Sequence, residues 1–481
     1  MTHFNLLRYD WRNLAADRVP AAVAILLTVA IAYGAWNGSQ WTNFRHRAIN
    51  AALAEEQSRL NGIRADIVQL DAGTGSKEVS AFADPRLPQS LGRNRGLRYA
   101  VMPPATLSAL SVGQSDLYPY YFKVSTNSRQ AFVNSDEIEN PVHLLAGRFD
   151  LSFVILYLFP LVILALTYNL LSAGKEEGIL ALALSQPVTL WRLVSAQIVL
   201  RAGFVILLTI LLSFGGVLLG GTNLLTSAAM ARFLFWIAIT AAYGAFWFAL
   251  AVGVNALGRS SATNAITLAG LWLLFVILIP AVVNVAVKAA YPVPSRIEMI
   301  QATRVAGEDA TRQSSQLLAR YMEDHPELAA PGSASTADFG TLLIAVNEAT
   351  EKSVQPVLDR FDSQLSAQQA FVNRFRYLSP AIVTQFAFND LAGTGPDRYA
   401  SFLTQVARYH RAWRDFFSPR ILRKVRITAP DLDSLPTFGF QEEETMMVLS
   451  RVIAPLAGLI LPTGIVALWA FSRLKRYPIV G

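Results

Sequence analysis

The side chains best suited to chemistry are scattered along the chain, and no familiar constellation forms. There is no cysteine, and the five histidines are His3, His46, His143, His325 and His410. None has the His-Glu-x-x-His spacing that puts two imidazoles on one helical face for a metal; each reads as an ordinary surface or loop residue. No Gly-x-Ser-x-Gly elbow supplies a nucleophile. The acidic run Glu442–Glu444 could take a cation, but a solvated collar beside an apolar run is the stronger reading. A phosphate cradle needs Gly-x4-Gly-Lys-Ser/Thr ahead of a helix. "GTGSKE" (73–78) is too short for that, and "LSAGKE" (171–176) straddles the end of an apolar run. The sequence therefore offers no catalytic, cofactor-binding or metal-ligating set of residues.

One stretch stands out. "GKEEGILALALSQPVTLWR" (Gly174–Arg192) packs four charges, a glycine, a proline and several leucines between two long apolar runs. Glu176 and Glu177 are placed to open a short helix, where negative charge suits the N-terminal end of the dipole. Ile179, Leu180, Leu182 and Leu184 make that helix greasier than a solvated turn requires. Pro187 holds Gln186 out of helical geometry and ends it, and Thr189 can cap the next helix. Exposed apolar surface of this sort usually meets a partner.

The elements that position this stretch are membrane spans. Of 481 residues, 53% are hydrophobic and 16% charged, where a soluble domain carries about a quarter charged. The apolar residues gather in six blocks, about 20–36, 151–171, 193–219, 232–257, 264–288 and 447–471, most of them near the roughly 20 residues that cross a bilayer. The net charge of +7 lies in flanks, not in a nucleic-acid patch. Arg8, Arg12 and Arg18 precede the first block; Arg473, Lys475 and Arg476 follow the last; Lys175, Arg192 and Arg259 sit in the connections between. The positive-inside rule then puts both termini and the Lys175–Arg192 loop in the cytoplasm. The first block is expected to be retained and not cleaved as a leader, because its basic start is long and carries Trp11 and two Asp.

This predicts an all-α membrane protein with six transmembrane helices. Residues 1–19 form an interfacial amphipathic helix with Phe4, Leu7, Trp11 and Leu14 on one face, followed by a first span over 20–36. An extracytoplasmic segment follows at 38–150, then spans two to five over 151–288 with the short greasy helix at 175–187. A helical extracytoplasmic domain fills 289–445, the last span 446–472 and a cytoplasmic tail 473–481. Both outer segments read as mainly helical and free to pack together. In the first, Ile49, Leu53, Leu60, Ile63, Ile67 and Leu70 recur at helical spacing; in the second, Phe402, Val406, Tyr409 and Trp413 do so. With no cysteine, neither segment has a disulfide. Polar groups inside spans are the default functional candidates: Tyr168 and Asn169 near the end of span two, and Asn284 and Lys288 after Pro280, where the helix can kink. Arg201 is expected to snorkel to the headgroups.

The acidic pair, glycine, leucine-rich turn, Ser-x-Pro-Val and following basic residue resemble ABC-2 type transporter permeases. The matching residues are Glu176, Glu177, Gly178, Leu180, Leu184, Ser185, Pro187 and Arg192. "YPVPSR" (Tyr291–Arg296) and "RYLSPAIVTQFAFNDLAGTGPDRYASF" (Arg376–Phe402) are similar to an uncharacterised bacterial subgroup of that family with a helical domain between spans five and six. The resemblance makes the stretch from Lys175 onward a coupling helix that docks on a separate ATP-binding subunit. ATP and magnesium would belong to that subunit, and this chain would not be an enzyme. It also implies a second permease copy or a sister permease, residence in the bacterial inner membrane, and a pathway lined by spans two and five. Tyr157, Phe159, Asn169, Trp272, Phe275 and Asn284 are the candidates for that pathway, although aromatics there also serve simple helix packing or lipid contact. The implied function is export of a hydrophobic or amphipathic substrate. The alternative keeps the ATPase but drops the cargo, with the outer domain acting mechanically on a periplasmic or envelope partner. Most exporters of this family have one large outer segment and this chain has two, so no cargo class carries over.

Overall fold

In the computed structural model the described residues are 8, 10–12, 18–73, 84–133, 149–219, 221, 224–293, 296–324 and 339–478. Of the expected interfacial helix, Phe4, Leu7 and Leu14 lie outside them, as do His3, His143, His325 and the "PGSAST" linker. Among the described residues six helices are long and apolar enough to cross a membrane, as befits a multi-pass membrane protein. They are α1 (Arg18–Asp71), α2 (Leu151–Glu176), α4 (Leu190–Leu219), α5 (Ser227–Asn255), α6 (Ser261–Ala290) and α12 (Thr445–Leu474). The short α3 (Ile179–Leu184) links α2 to α4. One end of the bundle carries this link and the α5–α6 turn and is called the loop side; the other carries the large segments and is called the domain side.

α1 runs unbroken for 54 residues, about 80 Å at 1.5 Å per residue, far longer than a bilayer core is thick. Its buried positions, among them Leu27, Ile31, Ala35, Gly38, Thr42, Arg45, Ile49, Ala52 and Glu56, recur every three or four residues. One stripe therefore serves the bundle first and the domain afterwards. Of the outward stripe read from sequence, Ile49, Ile63 and Ile67 are buried and Leu60 and Leu70 half-buried, whereas Leu53 is exposed. Gly34 and Gly38, spaced as in G-x-x-x-G, let other backbone come close. A Cβ on Gly34 would lie 2.9 Å from the Asp150 carbonyl, and one on Gly38 would lie 2.0 Å from the Ala109 oxygen. Asp150 itself caps α2, accepting from Phe153 N (2.8 Å), and accepts from Val112 N (2.7 Å).

The first large segment corrects the all-α expectation. Arg98–Val101 (β1) and Tyr121–Val124 (β2) form an antiparallel pair, Arg98 facing Val124 and Val101 facing Tyr121. Short runs of aromatic and β-branched residues suit a pleated, half-buried surface, but four residues are too few to reveal a period. Glu56 of α1 covers the free edge of β1, accepting from Tyr99 N (2.6 Å) and from Arg98 Nε (2.8 Å).

The second large segment comprises α7 (Arg296–Arg312), α8 (Ser314–Asp324), α9 (Phe339–Phe375), α10 (Pro380–Ala392) and α11 (Pro396–Leu422). α11 buries Phe402, Val406, Tyr409, Trp413 and Phe417 against the sheet and α1. Phe402 stacks on Phe122 with ring centres 5.7 Å apart, and Trp413 Nε1 donates to the Gly92 carbonyl (3.1 Å). The two segments thus share one core. His410 is buried in that seam, contrary to the surface reading, with Nε2 2.9 Å from the Asn127 carbonyl and Glu351, Arg414 and Arg129 around it.

Two consequences are measurable. In an open helix Gly38→Ala would gain about 1 kcal/mol of propensity, whereas here a backbone oxygen blocks the methyl. A net loss of about 1–3 kcal/mol is expected, seen as a lower melting temperature of the detergent-purified protein; an unchanged or higher one would place α1 elsewhere. Burial also holds the His410 imidazole below its usual 6.5. The folded protein therefore binds that proton less readily than the unfolded chain does. This contribution to stability is full above 6.5 and drains as pH falls below it. Melting temperature should drop more between pH 7.5 and 5.5 for the native chain than for His410→Gln, which keeps a donor for Asn127.

Candidate functional site

Two prolines shape the centre of the bundle. Pro160 in α2 and Pro280 in α6 lack the N–H that an α-helix needs, and each follows a π-helical stretch, Val154–Leu158 and Leu273–Leu278. A π turn beside a proline loosens the helical ladder and frees carbonyls, and a carbonyl left alone away from water costs about 1–3 kcal/mol. Three carbonyls of these stretches accept from side chains. Tyr243 OH donates to Leu156 O (2.8 Å), Trp272 Nε1 to Tyr157 O (3.2 Å) and Ser379 Oγ to Phe275 O (2.5 Å).

The last of these bonds corrects the domain boundaries. Ser379 caps α10 through Ile382 N (3.3 Å), and Phe275 lies midway along α6. α10 is thus a half-length helix driven into the bundle, with Ala381, Val383, Ala387, Phe388 and Leu391 in the same core as the spans. Phe388 stacks on Trp236 of α5 with ring centres 3.8 Å apart. Just before α10, Tyr377 lies so close to Gly458 of α12 that a Cβ there would meet its ring at 2.5 Å. Residues 289–445 are therefore not one detached unit. Their α9–α10 hairpin re-enters between α6 and α12, where a 3-10 turn over Arg376–Leu378 and the pair Ser379–Pro380 redirect the chain.

Beside the hairpin lies a cavity of about 930 Å³ on the domain side. α6 contributes an apolar wall of Val276, Pro280, Val283 and Val287, topped by Asn284 and Lys288. α9 faces it with Gln368, Gln369, Asn373 and Arg376, while Tyr157 and Leu156 of α2 also line it. Its far margin is ionic. Arg451 binds Glu443 (2.5 Å) and lies 3.9 Å from Asp397; buried Arg398 pairs with Glu442 and donates to the Pro103 carbonyl (2.8 Å). The expected solvated collar is thus half of an interlocked set of ion pairs, and the hydrogen bond from Arg451 holds the Glu443 carboxyl below its usual range.

Of the pathway candidates, Tyr157 and Asn284 line this cavity. Trp272 and Phe275 pack behind it on the bundle core. Phe159 is fully buried against Gly244, where a Cβ would lie 3.0 Å from its ring, and lines nothing. Asn169, half-buried near the loop-side end of α2, is remote from Asn284 along the bundle. The polar knot at that end is instead built by residues the sequence reading passed over. Asn255 accepts from Leu171 N (3.3 Å) and donates to the carbonyls of Thr167 and Ala251 (2.9 Å each). Asn264 adjoins Asn255 and Ser172 (3.4 Å each). Their signal was a polar residue at each end of the α5–α6 turn. Arg201 donates through Nη1 to the Leu166 carbonyl (2.8 Å) and is an electrostatic neighbour of Asp10 in the amino-terminal segment.

The loop-side stretch is also rearranged. Lys175 and Glu176 end α2, and Gly178, at φ 74°, breaks the helix before α3 begins. A left-handed glycine is a helix stop, so the acidic pair closes one helix instead of opening the next. Glu176 grips the start of α6, accepting from Ser261 N (2.7 Å) and Ser261 Oγ (2.9 Å). Leu180 is buried with Leu171, Val194, Val252 and Leu474, and Leu184 packs against that cluster. The apolar residues facing outward are Ile179 and Leu182, 50% and 71% exposed. Glu177, Ser185, Pro187 and Arg192 are exposed around them, and Thr189 Oγ1 accepts from Arg192 N (3.4 Å) at the next helix start.

Residues 296–441 match the family described as "Domain of unknown function (DUF3526)". The match covers α7 to α11 and so contains the whole re-entrant hairpin tip. The chain matches no curated protein.

Ser379→Ala removes a helix cap and leaves the Phe275 carbonyl alone, a combined loss of about 2–4 kcal/mol. Deuterium uptake over 380–392 should quicken while uptake over α11 stays native; unchanged protection of α10 would contradict the anchoring role.

Proposed function

We propose that this chain is the membrane subunit of an ATP-driven exporter of the ABC-2 type, energised by a separate ATP-binding subunit and acting on a hydrophobic or amphipathic substrate. The observation that carries this reading is the build of α3. It offers Ile179 and Leu182 outward while Leu180 anchors it to α4, α5 and α12. A force applied to α3 reaches the start of α6 through Glu176 and Ser261, and α6 walls the cavity on the opposite side of the bundle. The basic residues at both termini and around α3 favour a cytoplasmic loop side in a bacterial inner membrane, where an ATPase would meet it. The missing phosphate cradle fits an energy source on another chain. A second copy or a sister permease would complete the pathway.

A mechanical reading, in which the domain works on an envelope partner without cargo, draws support from α1. Its single 54-residue helix joins the bundle rigidly to the domain core. The two readings part on flux: ATP-dependent movement of a labelled amphiphile favours export, and ATP hydrolysis without flux favours the arm.

Co-purification with the ATP-binding protein encoded nearest this chain tests the shared premise. Leu182→Asp should weaken assembly by about 2 kcal/mol, roughly thirtyfold, and leave the melting temperature native. Leu180→Asp should instead unfold the loop-side cluster. Full assembly by the Leu182 variant would remove α3 as the docking element.

A further inference from the structure

The cavity beside the hairpin holds cations that the ion-pair set does not use. Arg451 is taken by Glu443 and Asp397, and Arg398 by Glu442. Among the described residues no carboxylate comes within ion-pair distance of Lys288 or Arg376; Asp390, the remaining cavity carboxyl, feels Arg451 first and Arg376 more weakly. Arg376 donates to Asn373 Oδ1 (3.4 Å) and to Tyr377 OH (2.9 Å), and its Nε–H is buried with no acceptor.

Its height in the bundle follows from the neighbouring helices. Gln368 of α9 donates to the Tyr291 carbonyl at the end of α6 (2.6 Å), and α9 then descends along α6 to Arg376. Eight residues at about 1.5 Å each put Arg376 roughly 12 Å below Tyr291, between the level of Asn284 and that of the Phe275 carbonyl that Ser379 holds. Lys288 lies one turn above Asn284. Lys288, Asn284 and Arg376 thus descend one side of the cavity over about 8 Å inside the span of α6, and the wall below them is Pro280 and Val276. An arginine at that depth is costly without an anion or water, and such residues mark ligand paths. Guanidinium and ammonium together suit a phosphate or carboxylate, and the wall beneath suits a hydrocarbon chain.

We infer that this cavity binds an anionic amphiphile, its phosphate or carboxylate head held by Arg376 and Lys288 and its chain laid along Val276, Pro280 and Val283 of α6. The inference deepens the exporter reading by naming the charge of the cargo and rests on it for the word cargo alone; binding itself needs neither nucleotide nor partner. The head group could belong to a membrane phospholipid or to a single-chain amphiphile, and both present the same chemistry.

The test uses the full chain. In neutral maltoside detergent, binding of a fluorescent dodecyl phosphate is measured by anisotropy, with inorganic phosphate and a dodecyl trimethylammonium salt as competitors. In nanodiscs of neutral lipid, phosphatidic acid is titrated against the same probe. Dodecyl phosphate should bind, inorganic phosphate and the cationic amphiphile should not compete, and phosphatidic acid should compete only if the occupant is a lipid. Arg376→Gln and Lys288→Gln should each weaken binding roughly tenfold, while Arg376→Lys should recover most of it. Because Arg376→Gln could disturb the hairpin, Lys288→Gln, at an exposed position on the cavity rim, supplies the independent reading. Equal affinity of the native chain and the Lys288→Gln and Arg376→Gln variants, or equal binding of the cationic amphiphile, overturns the inference. Binding by a chain that assembles with no ATP-binding subunit in the co-purification would keep this site and end the exporter reading; an active ATPase complex that ignores dodecyl phosphate would do the reverse.

Discussion

Backbone carbonyls that lose their donors to Pro160 and Pro280 govern how this molecule is put together. Inside an apolar bundle no water can replace a missing N–H, and an unanswered carbonyl costs several kcal/mol. The chain answers with three side chains from three other places: Tyr243 from α5, Trp272 from α6 and Ser379 from the far domain. Each bond crosses between helices, so the defect in one helix becomes the glue for another. The third is the most consequential. It accompanies the entry of α10 into the bundle, where α10 and the end of α9 line the cavity together with α6 and α12.

The same economy appears at both ends of the spans. On the domain side, carboxylates just ahead of α12 satisfy arginines of α11 and α12, so the domain and the last span are locked together by charge as well as by packing. On the loop side, Glu176 satisfies the first N–H of α6, which would otherwise be one of the orphan donors at a helix start. In both places an acidic residue at the end of one element completes the beginning of another, and these charged contacts lie where the apolar walls stop.

The proposed activity depends on this continuity. α3 is seated on α4, α5 and α12 through Leu180 and tied to α6 through Glu176. Displacing it therefore acts on several spans at once. α6 keeps much of its surface outward and carries a π stretch at its middle, two features that suit a helix whose upper and lower halves move by different amounts.

Composition, hydropathy and charge placement determined the number of spans, the long outward continuation of the first helix and the isolated greasy helix between the second and third, because each is a local property of consecutive side chains. The stripe from Phe402 to Trp413 was legible for the same reason. Four features were decided only by the tertiary structure. The β pair is too short to carry a period. Which leucines of α3 face inward depends on where α4, α5 and α12 stand. The loop-side knot of Asn255 and Asn264 is two polar residues nine positions apart, with nothing local to join them. Above all, Ser379–Ala392 reads as a moderately apolar domain helix, and it becomes a re-entrant one because a carbonyl 104 residues earlier lacks a partner. A sequence shows that a proline removes a donor; only the folded chain decides which distant hydroxyl takes its place.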